Sequence, residues 1–290
     1  MPAPDGLDRF DLVVATIDRT DELDGLLSAL DAQTHRGFRV VVVDQNPDGR
    51  ITDLLELHPG LDVLHLRSDR GLSRARNAAL PHLDAELVAF PDDDCSYAPD
   101  LLTRVAERFA VDSGLDGLSG RPEDRDGRVV GRWPDDARRI TTDTVWHTAN
   151  SHTIFLRRAL VGRVGPFDES LGLGSGTPWS SGEEIDYLVR ALRLGARIQY
   201  DPSFAIGHPL KPTTADGLVA LGRRDGGSVG YVLARNGYPW RVVARMLARP
   251  AVAAVACAVL LDGTMARFHA AALAGRLRGL AAGRRAGKRP

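Results

Sequence analysis

Short apolar runs alternate with stretches of helical spacing through the first part of the chain. DLVVATI (11–17), FRVVVVD (38–44), LDVLHL (61–66) and ELVAF (86–90) read as strands, with ELDGLLSALDAQ (22–33), ITDLLEL (51–57) and GLSRARNAAL (71–80) as the helix-like stretches between them. This alternation predicts an α/β domain with a largely parallel sheet covered by helices on both faces. Val40 to Val43 is continuously apolar, the pattern of a central strand buried on both sides. Functional loops of such a sheet lie at the carboxyl ends of its strands. Three polar clusters follow strands directly, Thr16 to Arg19, Asp44 to Asp48 and Asp92 to Asp94, and are therefore expected to converge on one edge.

Farther along, a helix is predicted to start near Pro99 and a strand near LDGLSG, followed by a long excursion rich in Gly, Asp and Arg up to Asp143. Excursions of this length are often functional. HTIFLRRALVGRVGPFD reads as a strand and short helix, GLGSGTPWSSG as a glycine-rich loop suited to cover a pocket, and Glu183 to Leu194 as a helix. ARIQYDPSFAIGHP is predicted to be a closing strand pair ending at His208. Beyond residue 215 three helical patterns appear: GLVALGRRDGGSVGYVLARNG, WRVVARMLA and AVAAVACAVLLDGTMARFHAAALAGRLRGL. The apolar run Ala251 to Leu261 is too short for a bilayer span, which needs about 20 residues. The domain reading is 8–214 for the α/β body and 215–290 for a helical extension.

At 290 residues, 43% hydrophobic and 26% charged, the chain can bury a full core, which excludes disordered and fibrous classes. Two cysteines, Cys95 and Cys257, give neither a disulfide framework nor metal-ligand spacing. With MPAPDGLDRF leading directly into a strand-like run, a cytoplasmic location is expected. The net charge of −1 hides an asymmetry: residues 1–216 carry 24 basic and 36 acidic groups, and 217–290 carry 13 and 2. An acidic body with a basic tail suggests two tasks.

Three adjacent carboxylates, Asp92, Asp93 and Asp94, repel one another unless a cation, a shared proton or open solvent relieves them. They fit a solvated acidic turn before a helix, and equally a hard divalent cation, Mg²⁺ or Mn²⁺, completed by substrate phosphate oxygens. Glu183 and Glu184 begin a helix, where acidic residues favour the macrodipole; with the preceding glycine-rich loop and Trp179 they also suit an acceptor pocket served by a general base. Trp179 fits a core position as well. Asn150, at the end of the 114–150 excursion, is the other candidate on the acceptor side.

From about residue 10 to 208 the chain resembles a family-2 glycosyltransferase with the GT-A fold. VVATIDR resembles the family's first-strand PTYNR element, VVVVDQNPD its VVDDGS element and GLSRARNAAL its GLSxARNxGL helix. FPDDDC resembles the Asp-x-Asp metal motif, VGPFDE the GGFDE turn, and GEEIDYLVRALRLGARIQYDP the GEDxDLxxRLRxxGxxIxYxP element. Each is a weak signal alone; six in the family's order are specific. The resemblance implies that Thr16, Arg19, Asp44 and Gln45 belong to the nucleotide pocket. It puts Arg76, Asn77, Asp92 and Asp93 near the donor. It also implies a Mn²⁺ or Mg²⁺ ion held by Asp94 and Asp92 with His208 as a further ligand, although a lone histidine is more often an ordinary packed residue. Two departures stand out: Gln45 replaces an acidic residue thought to read uracil, leaving the base identity open, and Glu184 replaces the usual Asp base, leaving Glu183 a rival. The implied reaction is one inverting displacement in which Glu184 takes the hydroxyl proton of a glycan, lipid-linked or small-molecule acceptor and the metal-bound nucleoside diphosphate leaves.

Residues 241–290 hold ten Arg or Lys against one acid, Asp262. The tail reads either as an appendage packed on the body or as a helix lying on anionic lipid with Trp240 and Phe268 among its apolar contacts, and the second reading is favoured because GRLRGLAAGRRAGKRP has no compensating acid. A lipid-linked or glycan acceptor fits such a tail, placing the protein on the inner face of the cytoplasmic membrane. Nothing besides charge points to nucleic acid. The rivals are a nucleotidyltransferase, for which ATIDR stands in place of the usual glycine-rich basic loop, and a catalytically silent nucleotide-sugar or glycan binder.

Overall fold

The structure, a computed structural model, describes residues 8–124, 126–129, 131–209 and 213–286. The chain falls into two compact units, Met1–Phe167 with Tyr187–Leu210, and Asp168–Asp186 with Lys211–Pro290. The glycine-rich loop thus groups with the C-terminal helices, and residues 287–290 of the basic run lie outside the described residues.

In the first unit the strands are β1 (Phe10–Thr16), β2 (Phe38–Asp44), β3 (Val63–Arg67), β4 (Leu87–Ala89), β5 (Gly117–Glu123), β6 (Arg138–Arg139), β7 (Ile154–Arg157) and β8 (Ile198–Gly207). They form one sheet in the order β3-β2-β1-β4-β7-β5-β8-β6. β3, β2, β1 and β4 run parallel, and β7 is antiparallel to both β4 and β5. Helices α1 (Asp21–Asp31), α2 (Arg50–Leu55), α3 (Leu72–Ala79), α4 (Leu101–Val111) and α5 (Arg158–Val164) connect them. The mostly parallel sheet with flanking helices is the predicted fold class. Val40 to Val43 is fully buried, as a doubly covered strand requires. Leu23, Leu26, Leu27 and Leu30 recur at helical spacing on α1 and meet Phe10, Leu12 and Val14 of β1 in one core, each contributing about 1.5–3 kcal/mol by burial.

The expected strand pair at 196–209 is instead one strand, β8. Ser119 of β5 pairs Tyr200, but Arg121 pairs Ala205, so the intervening residues of β8 bulge outward. Asp201 supports this bulge by accepting from Ser203 N at 2.9 Å and Ser203 Oγ at 2.7 Å. The bulge accommodates Pro202, and the strand then resumes its parallel pairing.

Helix α6 (Glu183–Arg193) starts in the second unit and ends in the first. The second unit also holds α7 (Ala215–Arg235), α8 (Trp240–Val259) and α9 (Gly263–Ala286). Here the sequence boundaries shift: α8 continues through Pro250, where the pattern divided it. Proline leaves the carbonyl four residues earlier without its helical donor. Arg276 Nη1 of α9 donates to that carbonyl, Met246 O, so the helix survives. The break comes at Leu261, in left-handed conformation (φ 57°), and Asp262 then caps α9 by accepting from Met265 N at 3.0 Å. By length and composition α8 is long and apolar enough to cross a membrane, which the shorter run Ala251 to Leu261 had argued against. Its arginines, however, lie at 241, 245 and 249, so the uncharged part is confined to the end with exposed Val252, Val255 and Val259, continuing into Leu260 and Leu261.

Candidate functional site

The three polar clusters do meet at the carboxyl ends of β1, β2 and β4. Thr16 Oγ1, the last residue of β1, donates to Asp93 Oδ2 at 2.9 Å across 77 positions of sequence. Arg19 Nη1 reaches Asp93 Oδ1 at 2.6 Å and Asp94 Oδ2 at 3.1 Å. Gln45 bridges the clusters, its Nε2 donating to Thr16 O at 3.4 Å and its Oε1 accepting from Gly71 N at 2.7 Å. Asp44 is fully buried; its Oδ1 accepts from Asn46 N and Nδ2, both at 2.8 Å, and His65 Nε2 lies 3.3 Å from Oδ2. Asn77 turns to the backbone of Phe167, donating to its O at 3.0 Å and accepting from its N at 2.7 Å.

Each aspartate has a different neighbourhood. Arg76, 2% exposed and lying against Phe90 and Phe167, places Nη2 3.4 Å from Asp92 Oδ1. Burial acts to raise the Asp92 pKa, but His152, Arg76 and His208 outweigh it and hold the carboxyl below its usual range. For Asp93 the balance reverses: burial pushes it up despite Arg19 and Thr16, with Asp94 adding to the rise. Burial opposes the charge on Arg19, yet Asp93 and Asp94 raise its pKa further still.

His208 arrives by strand pairing. Gly207, the end of β8, exchanges both backbone hydrogen bonds with Ser96 at 2.8 Å, which sets the next residue beside the aspartates. His208 Nε2 lies 3.3 Å from Asp94 Oδ1 and 4.0 Å from Asp92 Oδ2. A residue missed in the sequence, His152, completes the group. The reversal of β7 against β4 returns the chain to the same edge, where Asn150 caps the turn Ser151–Thr153 by accepting from Ser151 N at 2.9 Å. His152 is 3% exposed, stacks on His208 with centroids 4.6 Å apart, and puts Nδ1 3.3 Å from Asp92 Oδ2. Nδ1 faces Asp92 within ion-pair distance without forming a well-aligned hydrogen bond, and Nε2 has no hydrogen-bond partner among the described residues. In sequence it opened an apolar run and carried no signal beyond being a histidine.

Oxygen or nitrogen atoms of Asp92, His152 and His208 all lie within 4.8 Å of one another. A buried imidazole facing a carboxylate, with a second imidazole stacked beside it, is a donor set that fits a divalent cation.

In the second unit, Glu183 is buried and Glu184 half-buried in the first turn of α6. Asp186, one turn on, accepts at 2.8 Å from Nδ2 of Asn236, the residue that ends α7. Trp179 stacks on Tyr231 at 4.9 Å and 13°, and its carbonyl accepts from Gly172 N at 3.0 Å, tying the glycine-rich loop to α7.

This fold and edge define the GT-A class of sugar-transferring enzymes. Residues 11–164, just over half of the chain, match the family described as "Glycosyl transferase family 2", and the chain belongs to that family. It is 28% identical over 249 residues to the succinoglycan biosynthesis protein ExoM of Rhizobium meliloti, covering 80% of this chain and 77% of that one. The pre-mycofactocin glycosyltransferase of Mycobacterium tuberculosis is 25% identical over 216 residues, of which this chain spans 69% of its own length and 43% of the relative. Among solved structures, the mannosyltransferase PcManGT from Pyrobaculum calidifontis, in complex with GDP-Man and Mn²⁺, superposes with a TM-score of 0.63 at 19% identity, covering 96% of this chain and 89% of that one. Staphylococcus aureus TarS 1–349 in complex with UDP-GlcNAc gives 0.62 at 16%, covering 93% and 92%.

Proposed function

We propose that this glycosyltransferase is metal-dependent and inverting, and that it moves a sugar from a nucleotide-sugar to a hydroxyl of a glycan or lipid-linked acceptor at the inner membrane face. The observation that carries the reading is the cluster of Asp92, Asp94, His208 and His152 at the carboxyl edge of the parallel strands. A cation bound there would offset the charge of the departing diphosphate. Asp92, Asp94, His152 and His208 would hold it, Arg76 favours the charged form of Asp92, Arg19 orients Asp93 and Asp94, and Thr16 fixes Asp93. Glu184 accepts the acceptor's proton. The named ligands of the Pyrobaculum calidifontis mannosyltransferase, GDP-Man and Mn²⁺, support both donor class and metal.

Transfer and donor hydrolysis should be measured across UDP-, GDP- and dTDP-sugars with Mn²⁺, Mg²⁺ or EDTA. The expected result is turnover of one donor with Mn²⁺, weaker with Mg²⁺ and abolished by EDTA, with inverted configuration at the anomeric carbon. Turnover unchanged in EDTA would remove the metal from the mechanism, and donor binding with no turnover for any acceptor would favour the silent binder.

Membrane contact is assigned to the end of α8. Val252, Val255, Val259, Leu260 and Leu261 are all exposed, beside a helix pair rich in arginine. Apolar groups with basic neighbours match an anionic lipid surface. Sedimentation with phosphatidylglycerol vesicles should weaken about tenfold or more in a V255D/V259D variant, since each valine forfeits roughly 1.5 kcal/mol of burial. Undiminished sedimentation would move the lipid contact elsewhere.

A further inference from the structure

Away from the aspartate cluster, the second unit carries a cavity of about 540 Å³ between α7 and α9. Its α7 wall is a single stripe from Asp216 to Gly227 at three- and four-residue spacing, and its α9 wall includes Arg267 and Arg278, eleven residues and so three turns apart on one face. Trp179 closes one side. Four arginines line it, Arg223, Arg224, Arg267 and Arg278, against the one carboxylate of Asp216. Two of these charges are partly answered: Arg267 Nη2 lies 2.9 Å from Asp216 Oδ1, and Arg224 Nε 3.0 Å from Asp225 Oδ1. Arg223 and Arg278 have no ion pair or hydrogen bond among the described residues.

All four are exposed, so solvent and salt screen their mutual repulsion, yet they face one concavity beside Trp179 with only Asp216 among the lining residues to oppose them. A guanidinium fork matches the oxygens of phosphate in paired hydrogen bonds, and such charge-assisted bonds are about twice as strong as neutral ones. The aromatic and apolar walls suit a phosphate that is esterified to a less polar group. We infer that this groove binds a phosphate or diphosphate ester through Arg223 and Arg278. The inference stands apart from the transferase reading, because binding is measured without turnover.

The test uses the full chain in EDTA, so that metal-bridged binding at the aspartates is suppressed. Inorganic pyrophosphate is titrated calorimetrically into wild type, an R223A/R278A variant and, as control, Arg128→Ala. Vesicles of phosphatidylcholine with and without phosphatidic acid form the second arm. Wild type and control should bind pyrophosphate alike, and the double variant at least about tenfold more weakly, the loss expected from one strong charge-assisted contact. Loss of the added affinity for phosphatidic acid identifies a lipid headgroup as the source; an effect confined to pyrophosphate identifies a soluble phosphate. Equal thermal unfolding and retained Mn²⁺-dependent donor binding in the double variant establish that its fold is intact. Binding by the double variant equal to wild type in both arms, or no binding by wild type in either, would overturn the assignment.

Discussion

Glu184→Gln is expected to lower kcat by about 10³-fold while leaving the affinity for nucleotide-sugar within twofold, because general-base catalysis by a positioned carboxylate typically supplies 10²–10⁴. Glutamine keeps the size and hydrogen-bonding reach of the side chain and removes only its basicity. Glu184 is half-buried, at the opening of α6 behind the glycine-rich loop; its neighbour Glu183 is buried. Buried residues of a first helical turn commonly serve the helix itself, so Glu183→Gln should cost stability more than turnover. Single-turnover rates and donor titrations on both variants decide between them. If Glu183→Gln loses the chemical step and Glu184→Gln retains it, the two roles are exchanged.

The second large effect is structural. Helices α7 and α9 approach so closely that a Cβ on Gly279 would stand 2.0 Å from Gly227 O, and one on Gly230 2.0 Å from Arg276 O. Backbone atoms cannot rotate away as a flexible side chain can. Gly279→Val is therefore expected to destabilise the protein by about 3 kcal/mol or more, the upper end of overpacking, and to lower the thermal midpoint by several degrees. Gly162 in α5 is the matched control, since a Cβ there meets nothing within 4 Å; alanine at that position should stabilise slightly, by up to about 1 kcal/mol. A Gly279→Val melt coincident with wild type would show that the helices can separate at no cost.

The parallel half of the sheet was legible because its signals are local. FRVVVVD has the same bounds in sequence and in structure, and the three polar clusters converge because each follows a parallel strand. What escaped depended on partners remote in sequence. The pattern divides α8 at Pro250 because it holds no hint that Arg276 supplies the lost donor. ARIQYDPSFAIGHP reads as a strand pair because the sequence does not say whether the chain reverses or bulges at Pro202; pairing to β5 decides that. His152 carries no local signal for the same reason: only the antiparallel return of β7 makes it a neighbour of Asp92. The resemblance gave His208, but the Ser96 to Gly207 pairing that sets it beside the aspartates belongs to the fold.

The chain passes between its two compact units at 167/168, 186/187 and 210/211, the middle crossing within α6. The unit that carries Glu184 is thus built from two separate pieces of sequence, and the shorter is anchored by the longer: Trp179 leans on Tyr231, Asp186 accepts from Asn236, and Ser181 N donates to Ser228 Oγ at 3.2 Å. A truncation ending near residue 214 would keep the whole sheet and the aspartate cluster, yet it would strip these three anchors at once. The helical tail is in this sense a scaffold for the proposed base.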